Sequence, residues 1–159
     1  MMSDGFVTER FLPYQFSVIA NRVSTTLHRM YALRFGLSVA GWRIIAILGA
    51  RAPLSSRELS ALLAMDPVAI SRAVEQLVVA KLVSRRTDPK DRRRHQLRLT
   101  TEGRTVYDEI VPLAQGIERA ILEPLAPKDR TALLRIMGTL TERSADILSE
   151  ERDWREFLA

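Results

Sequence analysis

Two helix-start signals, at Ser55 and at Asp66, constrain this chain more than any other feature of its 159 residues. Ser55 and Glu58 form an S-x-x-E capping box, in which hydroxyl and carboxylate reciprocally satisfy backbone amides at a helix start. Leu59, Leu62 and Leu63 follow at helical spacing, and the helix should end near Ala64. Asp66-Pro67 is the second signal, because Asp accepts from free amides and Pro is pre-set for the first helical position. A second helix then runs from Pro67 to about Ala80. With only about three residues between them, the two must cross steeply, as a helix-turn-helix.

The second of these helices divides cleanly into two faces. Ile70, Ala73, Val74, Leu77 and Val78 form its apolar side, and Val68, Ser71, Arg72, Glu75 and Gln76 lie opposite. Arg72 and Gln76 are one turn apart, so both can enter a major groove, where Arg suits guanine O6 and N7 and Gln suits adenine N6 and N7. Ser71 belongs to the same face. Glu75 is an alternative partner for Arg72, and the bland reading of the whole face is a solvated surface.

After Lys81 the periodicity changes from helical to alternating. Leu82 to Thr87 and His95 to Thr100 read as two short strands, with Leu97 and Leu99 inward and Gln96 and Arg98 outward. The turn-rich tip Asp88-Pro-Lys-Asp-Arg-Arg-Arg94 joins them, so the segment reads as a β-hairpin wing. Charge concentrates here. Lys81, Arg85, Arg86, Lys90, Arg92, Arg93, Arg94 and Arg98 stand against Asp88 and Asp91, a balance of +6 in a chain whose net charge is +5. The remainder therefore carries −1, and a basic stripe on a near-neutral background is the footprint of a polyanion contact. Arg85 and Arg86 follow the reading helix along the first strand, and at least one is assigned to the nucleic-acid backbone.

Around this module lie long amphipathic helices. Phe16, Ile19, Val23, Leu27, Met30 and Tyr31 predict one helix from Pro13 to Gly36, and Ser38 caps another running from Val39 to about Leu48. Gly49 and Pro53 are read as bracketing the loop after it. Thr100 or Thr101 caps a helix carrying Val106, Tyr107, Ile110, Val111 and Ile117, with a kink expected at Pro112. A last helix from about Lys128 carries Leu133, Leu134, Met137, Leu140 and Ile147. The fold class is thus mostly α with a small β-hairpin wing: a winged helix-turn-helix plus a helical region whose apolar surface calls for an interface.

Composition removes several alternatives. Cysteine is absent and histidine is limited to His28 and His95, so thiolate metal sites and disulfides are excluded and a metal role is not expected. None of H-E-x-x-H, G-x-S-x-G or a phosphate loop is present, so the reading is of a non-enzyme without a cofactor. With no apolar run near 18 residues and a polar start, a cytoplasmic chain with no membrane contact is expected.

Several stretches, in order, resemble the MarR family of bacterial regulators: Trp42-Arg43, Pro53-Leu-Ser-Ser-Arg-Glu-Leu59, Ser71-Arg-Ala-Val-Glu-Gln-Leu77, Leu82-Val-Ser-Arg-Arg86, Asp88-Pro-Lys-Asp-Arg-Arg93 and Leu97-Arg-Leu-Thr-Thr-Glu-Gly103. The resemblance covers essentially the whole chain. Lys81 departs from it, since the family usually has a glycine there, which takes a left-handed conformation cheaply. What the resemblance implies is a single MarR-type domain over residues 1–159, with a DNA-binding region at 37–100 and helical dimerisation regions at 8–35 and 101–159. It also implies that Arg93 enters the minor groove, Asp91 shapes the wing tip, and Arg92 or Arg94 lies near phosphates.

The function so implied is a homodimeric transcriptional regulator, a repressor released by a small effector, on an inverted-repeat operator in double-stranded DNA. Many relatives answer to aromatic carboxylates and some to aromatic acyl-CoA thioesters, which makes those the effector classes implied here. An effector pocket is expected where the winged module meets the dimerisation helices, with Asn21, His28, Tyr31, Trp42 and Arg43 as lining candidates. Two other classes remain beside this reading: a winged-helix module that uses its basic hairpin for an acidic protein partner, and an enzyme with an unrecognised site. The first lacks a role for the Arg72 and Gln76 pair, and the second lacks a catalytic constellation.

Overall fold

The structure is a computed structural model that describes residues 7–87, 95–148 and 153–158. It forms two compact units, Met1–Ile117 and Glu118–Ala159. The first begins with a short 3-10 turn, Thr8–Arg10, that the sequence reading does not anticipate. Helix α1, Leu12–Phe35, stops at Gly36, whose φ of 63° closes the helix without the penalty a side chain would bring. Ser38 then caps α2, Val39–Arg51, accepting a 3.0 Å hydrogen bond from the Gly41 N–H.

Helix α2 runs past the expected end at Leu48, and Gly49 sits inside it rather than in a loop. The reason is tertiary. A Cβ on Gly49 would stand 2.3 Å from the Tyr107 ring, so this glycine admits a neighbouring aromatic side chain instead of ending a helix.

Both starts of the helix-turn-helix form as expected. In α3, Ser56–Leu63, the Ser55 N–H donates to Glu58 Oε2 at 2.7 Å and the Glu58 N–H to Ser55 Oγ at 3.2 Å. In α4, Pro67–Val79, Asp66 Oδ1 accepts from the Val68 and Ala69 amides, each at 2.9 Å. Between them Ala64 adopts a left-handed conformation with φ 48°, which reverses the chain in three residues. Lys81, after α4, is left-handed too, at φ 60°; the conformation a glycine would take freely is here forced on a lysine.

Strands β1, Val83–Thr87, and β2, His95–Leu99, pair antiparallel with Val83 opposite Leu99 and Thr87 opposite His95. Leu54 adds a bridge to β2, exchanging both backbone hydrogen bonds with Leu97 at 2.8 and 3.2 Å. Sequence reading misses this bridge because a single bridging residue has no alternation to detect. Leu97 lies beneath, fully buried.

Helix α5, Thr101–Leu122, is capped by Thr100, whose Oγ1 accepts from the Gly103 N–H at 3.0 Å and donates to the Lys81 carbonyl at 2.7 Å. It continues through Pro112. The core of this unit is Leu27, Tyr31, Trp42, Ile44, Ile45, Leu48, Leu59, Ile70, Val74, Leu77, Leu97 and Ile110, with their buried neighbours. Such a core fixes the position of α4 relative to the hairpin, because Ile70, Val74 and Leu97 are among its fully enclosed members.

The second unit is built on α6, Pro127–Ile147, with Pro127 in its first turn. Arg130 secures the turn before it, donating to the Leu125 and Glu123 carbonyls at 2.9 and 3.0 Å. None of the residues of α6 is buried, although Leu134, Ile136, Met137 and Leu140 are large and apolar. Among the described residues no single helix is long and apolar enough to cross a membrane.

Candidate nucleic-acid interface

Helix α4 has the architecture of a reading head. Ile70, Ala73, Val74 and Leu77 are buried, which fixes its rotation about its own axis and turns Val68, Ser71, Arg72, Glu75 and Gln76 outward. Among the described residues, no hydrogen bond or ion pair engages the side chains of Ser71, Arg72 or Gln76, and none joins Arg72 to Glu75. The alternative in which Glu75 holds Arg72 is therefore not what the helix does. A guanidinium and a carboxamide one turn apart are left with their full hydrogen-bonding capacity directed at solvent.

The hairpin register sorts the neighbouring cations. Directly opposed residues share a face, so Arg85 with Leu97 lies on the side of the core, whereas Arg86 with Gln96, and Ser84 with Arg98, lie on the other. Arg85 and Arg86 are both exposed, but the pleat sends them in opposite directions. Only one of the two can sit flat on a given surface, and the outward face adds Arg98, which is absent from the sequence-based set of contacts. Its signal was the alternation of β2 itself. Asp91, Arg92, Arg93 and Arg94, the expected wing-tip residues, lie outside the described residues.

The candidates for an effector pocket separate into a cluster and an outlier. His28 meets Tyr31 edge to face and Tyr31 meets Trp42 at a tilt, with ring centroids 5.5 and 6.1 Å apart, and Tyr107 extends the row 6.5 Å beyond Trp42. Tyr31 and Trp42 are core residues, and Arg43 Nη2 donates to Ser24 Oγ at 3.2 Å. Burial pushes the Tyr31 phenol up to about 12, with the Arg43 charge pulling the other way, so the hydroxyl stays neutral at physiological pH. Asn21 is exposed and takes part in none of these contacts. Tyr107, carried by α5, is the member that sequence reading did not place here. A recess of about 250 Å³ lined by Gly49, Ala52, Arg98 and Arg104 lies elsewhere and includes none of the five candidates.

Comparison with known proteins agrees with this geometry. The family model described as MarR family matches residues 35–94, from the last residue of α1 to the residue before β2. NicR of Pseudomonas putida, an HTH-type transcriptional repressor, is 31% identical over 90 residues, a match spanning 57% of each chain. The crystal structure of a MarR-family transcriptional regulator from Silicibacter pomeroyi is 28% identical and superposes with a TM-score of 0.78, covering 96% of this chain and 100% of the other. Bordetella bronchiseptica BpsR, whose DNA binding is regulated by 6-hydroxynicotinic acid, shares the fold at 21% identity and a TM-score of 0.73, over 86% of this chain and 97% of its own. A winged helix-turn-helix with its capped helix, a basic hairpin and flanking helices makes the chain similar to the MarR family of transcriptional regulators, by the family model over residues 35–94 and by fold over 96% of its length.

Proposed function

We propose that two copies of this chain bind an inverted-repeat operator in double-stranded DNA, repress transcription there, and release the operator when a small aromatic acid or its CoA thioester binds. The observation that carries this reading is α4, seated on the core on one side and presenting Ser71, Arg72 and Gln76 on the other without side-chain partners among the described residues. Residues 37–100 then form the DNA-binding region, with Arg72 and Gln76 on base edges, Arg93 in the minor groove near Asp91, and Arg85 or Arg86, Arg92 and Arg94 at phosphates.

The dimer is supported by apolar side chains that each unit leaves in water. Phe11, Leu12, Tyr14, Phe16 and Ile19 of the first unit are 39–56% exposed, and Leu134, Ile136, Met137 and Leu140 of the second are 37–63% exposed. A second copy covering the regions 8–35 and 101–159 removes that surface from solvent at roughly 25 cal/mol per Å². Because a two-fold dimer reads two half-sites, selection from a random duplex library should enrich an inverted repeat with half-site centres about 10 base pairs, or a multiple, apart. The enriched duplex should take up two protomers together in sedimentation. A single protomer on an unrepeated site would overturn the reading.

For the effector, the regulation of BpsR by 6-hydroxynicotinic acid supports an aromatic acid, and the repressor NicR supports the repressor role. The aromatic row of His28, Tyr31 and Trp42 beside the Arg43 cation supplies matching chemistry: ring surfaces and one counter-charge, with Asn21 as a peripheral hydrogen-bonding group. Linkage requires that an effector lowering DNA affinity bind the DNA complex more weakly by the same factor. Calorimetry of 6-hydroxynicotinic acid and of aromatic acyl-CoA thioesters, against free protein and against the operator complex, should give weaker binding to the complex. Equal affinities would remove these compounds as inducers.

A further inference from the structure

We propose that Val68 reads a thymine in the operator, by burying the C5-methyl group of that base against its own side chain. The inference rests on the DNA-binding reading above and adds a specificity-determining residue to it. Val68 is the apolar residue at the N-terminal end of the outward stripe, whose middle members Ser71, Arg72, Glu75 and Gln76 are polar and exposed and whose C-terminal end carries Val79. It stands in the first turn of α4, immediately after the Asp66 cap, and is 56% exposed. Its orientation is imposed rather than loose. The Val68 amide is fixed to Asp66 Oδ1 at 2.9 Å, and the burial of Ile70, Ala73 and Val74 prevents the helix from rolling the side chain inward.

An apolar group at this place selects its partner by exclusion. Recognition helices enter the major groove with their N-terminal residues, which puts Val68 nearer the bases than Val79, the other exposed apolar residue of α4. Within that groove guanine, adenine and cytosine offer only hydrogen-bonding atoms, which a valine would desolvate without replacing their bonds. The thymine methyl is the single apolar feature on any base edge there, and covering it with a valine costs no polar contact.

The helix also sets where the thymine must be. Val68, Arg72 and Gln76 recur every four residues, and four residues advance about 6 Å along a helix at about 1.5 Å each. With about 3.4 Å per base pair and a groove inclined to the DNA axis, each step spans at most about two base pairs. The thymine read by Val68 therefore lies within about two base pairs of the guanine read by Arg72, on the side away from the base read by Gln76.

The test uses the full-length protein and the duplex it enriches from a random library. Each thymine is replaced in turn by uracil, which deletes only the methyl group. The parent should lose about fourfold in affinity per half-site at one symmetric pair of positions, the worth of one buried methyl. V68A, which should fold as the parent does by far-UV circular dichroism, should distinguish the thymine and uracil duplexes less than the parent does, because alanine keeps only a shorter methyl contact. R72A should relax preference at a guanine within about two base pairs. Uracil without effect at every position, or the same thymine preference retained by V68A, or a uracil-sensitive position more than about four base pairs from the Arg72-dependent guanine, would each overturn the assignment while leaving DNA binding intact. Failure of the parent to enrich any duplex would overturn it together with the DNA-binding reading.

Discussion

Replacing Gly103 by alanine should destabilise the protein by about 2–3 kcal/mol, although alanine in a helix ordinarily gains up to about 1 kcal/mol over glycine. A Cβ at this position would lie 2.0 Å from the Leu82 carbonyl oxygen and 2.9 Å from its carbon. That obstacle is backbone, and it is held. The Leu82 carbonyl accepts from the Thr100 N–H at 3.1 Å, and the Leu82 N–H donates to the Leu77 carbonyl at 2.9 Å, so Leu82 is tied both to the end of α4 and to the start of α5. To make room, α5 would have to withdraw, weakening the Thr100 bonds to Lys81 and Gly103 together. The Gly49→Ala substitution provides the internal comparison. Its added methyl meets the Tyr107 ring at 2.3 Å, but a ring at the end of a side chain can swing where a carbonyl cannot. Urea unfolding at one fixed protomer concentration should therefore rank parent above Gly49→Ala above Gly103→Ala. A Gly103→Ala protein as stable as the parent would mean that the junction between wing and α5 is looser than its hydrogen bonds indicate.

That junction also marks how far the sequence alone could be read. Gly103 belongs to a motif visible in the sequence, yet what makes it necessary is a carbonyl twenty-one residues earlier in the chain. Features set by neighbours within a turn were legible: the Ser55 box, the Asp66 cap, the Gly36 stop, and the two faces of α4. Gly49 was misread for the same reason that Gly36 was read correctly. A glycine after an apolar helical run signals a stop when nothing distant intrudes, and Tyr107, which intrudes here, is 58 residues away. Leu54 escaped notice because a one-residue bridge has no periodicity, and Ile44 because α2 is buried on more sides than an amphipathic stripe allows. For the DNA face, residue types and spacing gave Ser71, Arg72 and Gln76, and only the pleat register separated Arg85 from Arg86 and brought Arg98 beside the latter. The aromatic row was anticipated as a set of residues, but not as rings packed on one another with Tyr107 at the end.

Operator affinity should fall about a thousandfold between 50 and 200 mM salt, with a slope near −5 in log affinity against log salt. The magnitude follows from the charge map. Of the net +5 on the chain, +6 resides between Lys81 and Arg98, and the outward face of the hairpin carries Arg86 and Arg98 as diagonal neighbours across the ladder. In the proposed dimer, three phosphate contacts per protomer, drawn from that face and from Arg92 and Arg94, would make about six, each releasing counterions on binding. Charge on this scale acts through the phosphates and carries no sequence information, whereas Arg72 on α4, in the proposed complex, would act on one base pair. The two terms can therefore be separated by substitution. Replacing Arg92 and Arg94 by alanine in both protomers should reduce the slope by about 4 and weaken all duplexes alike, with the ranking of operator variants preserved. Replacing Arg72 should leave the slope within about 2 of the parent value and flatten the ranking at one position in each half-site. Titrations at four salt concentrations, with the operator and with a scrambled duplex of the same length, measure both. A parent slope shallower than about −2 would assign the basic hairpin to some partner other than DNA, because no arrangement of two such wings on a duplex leaves so few counterions displaced.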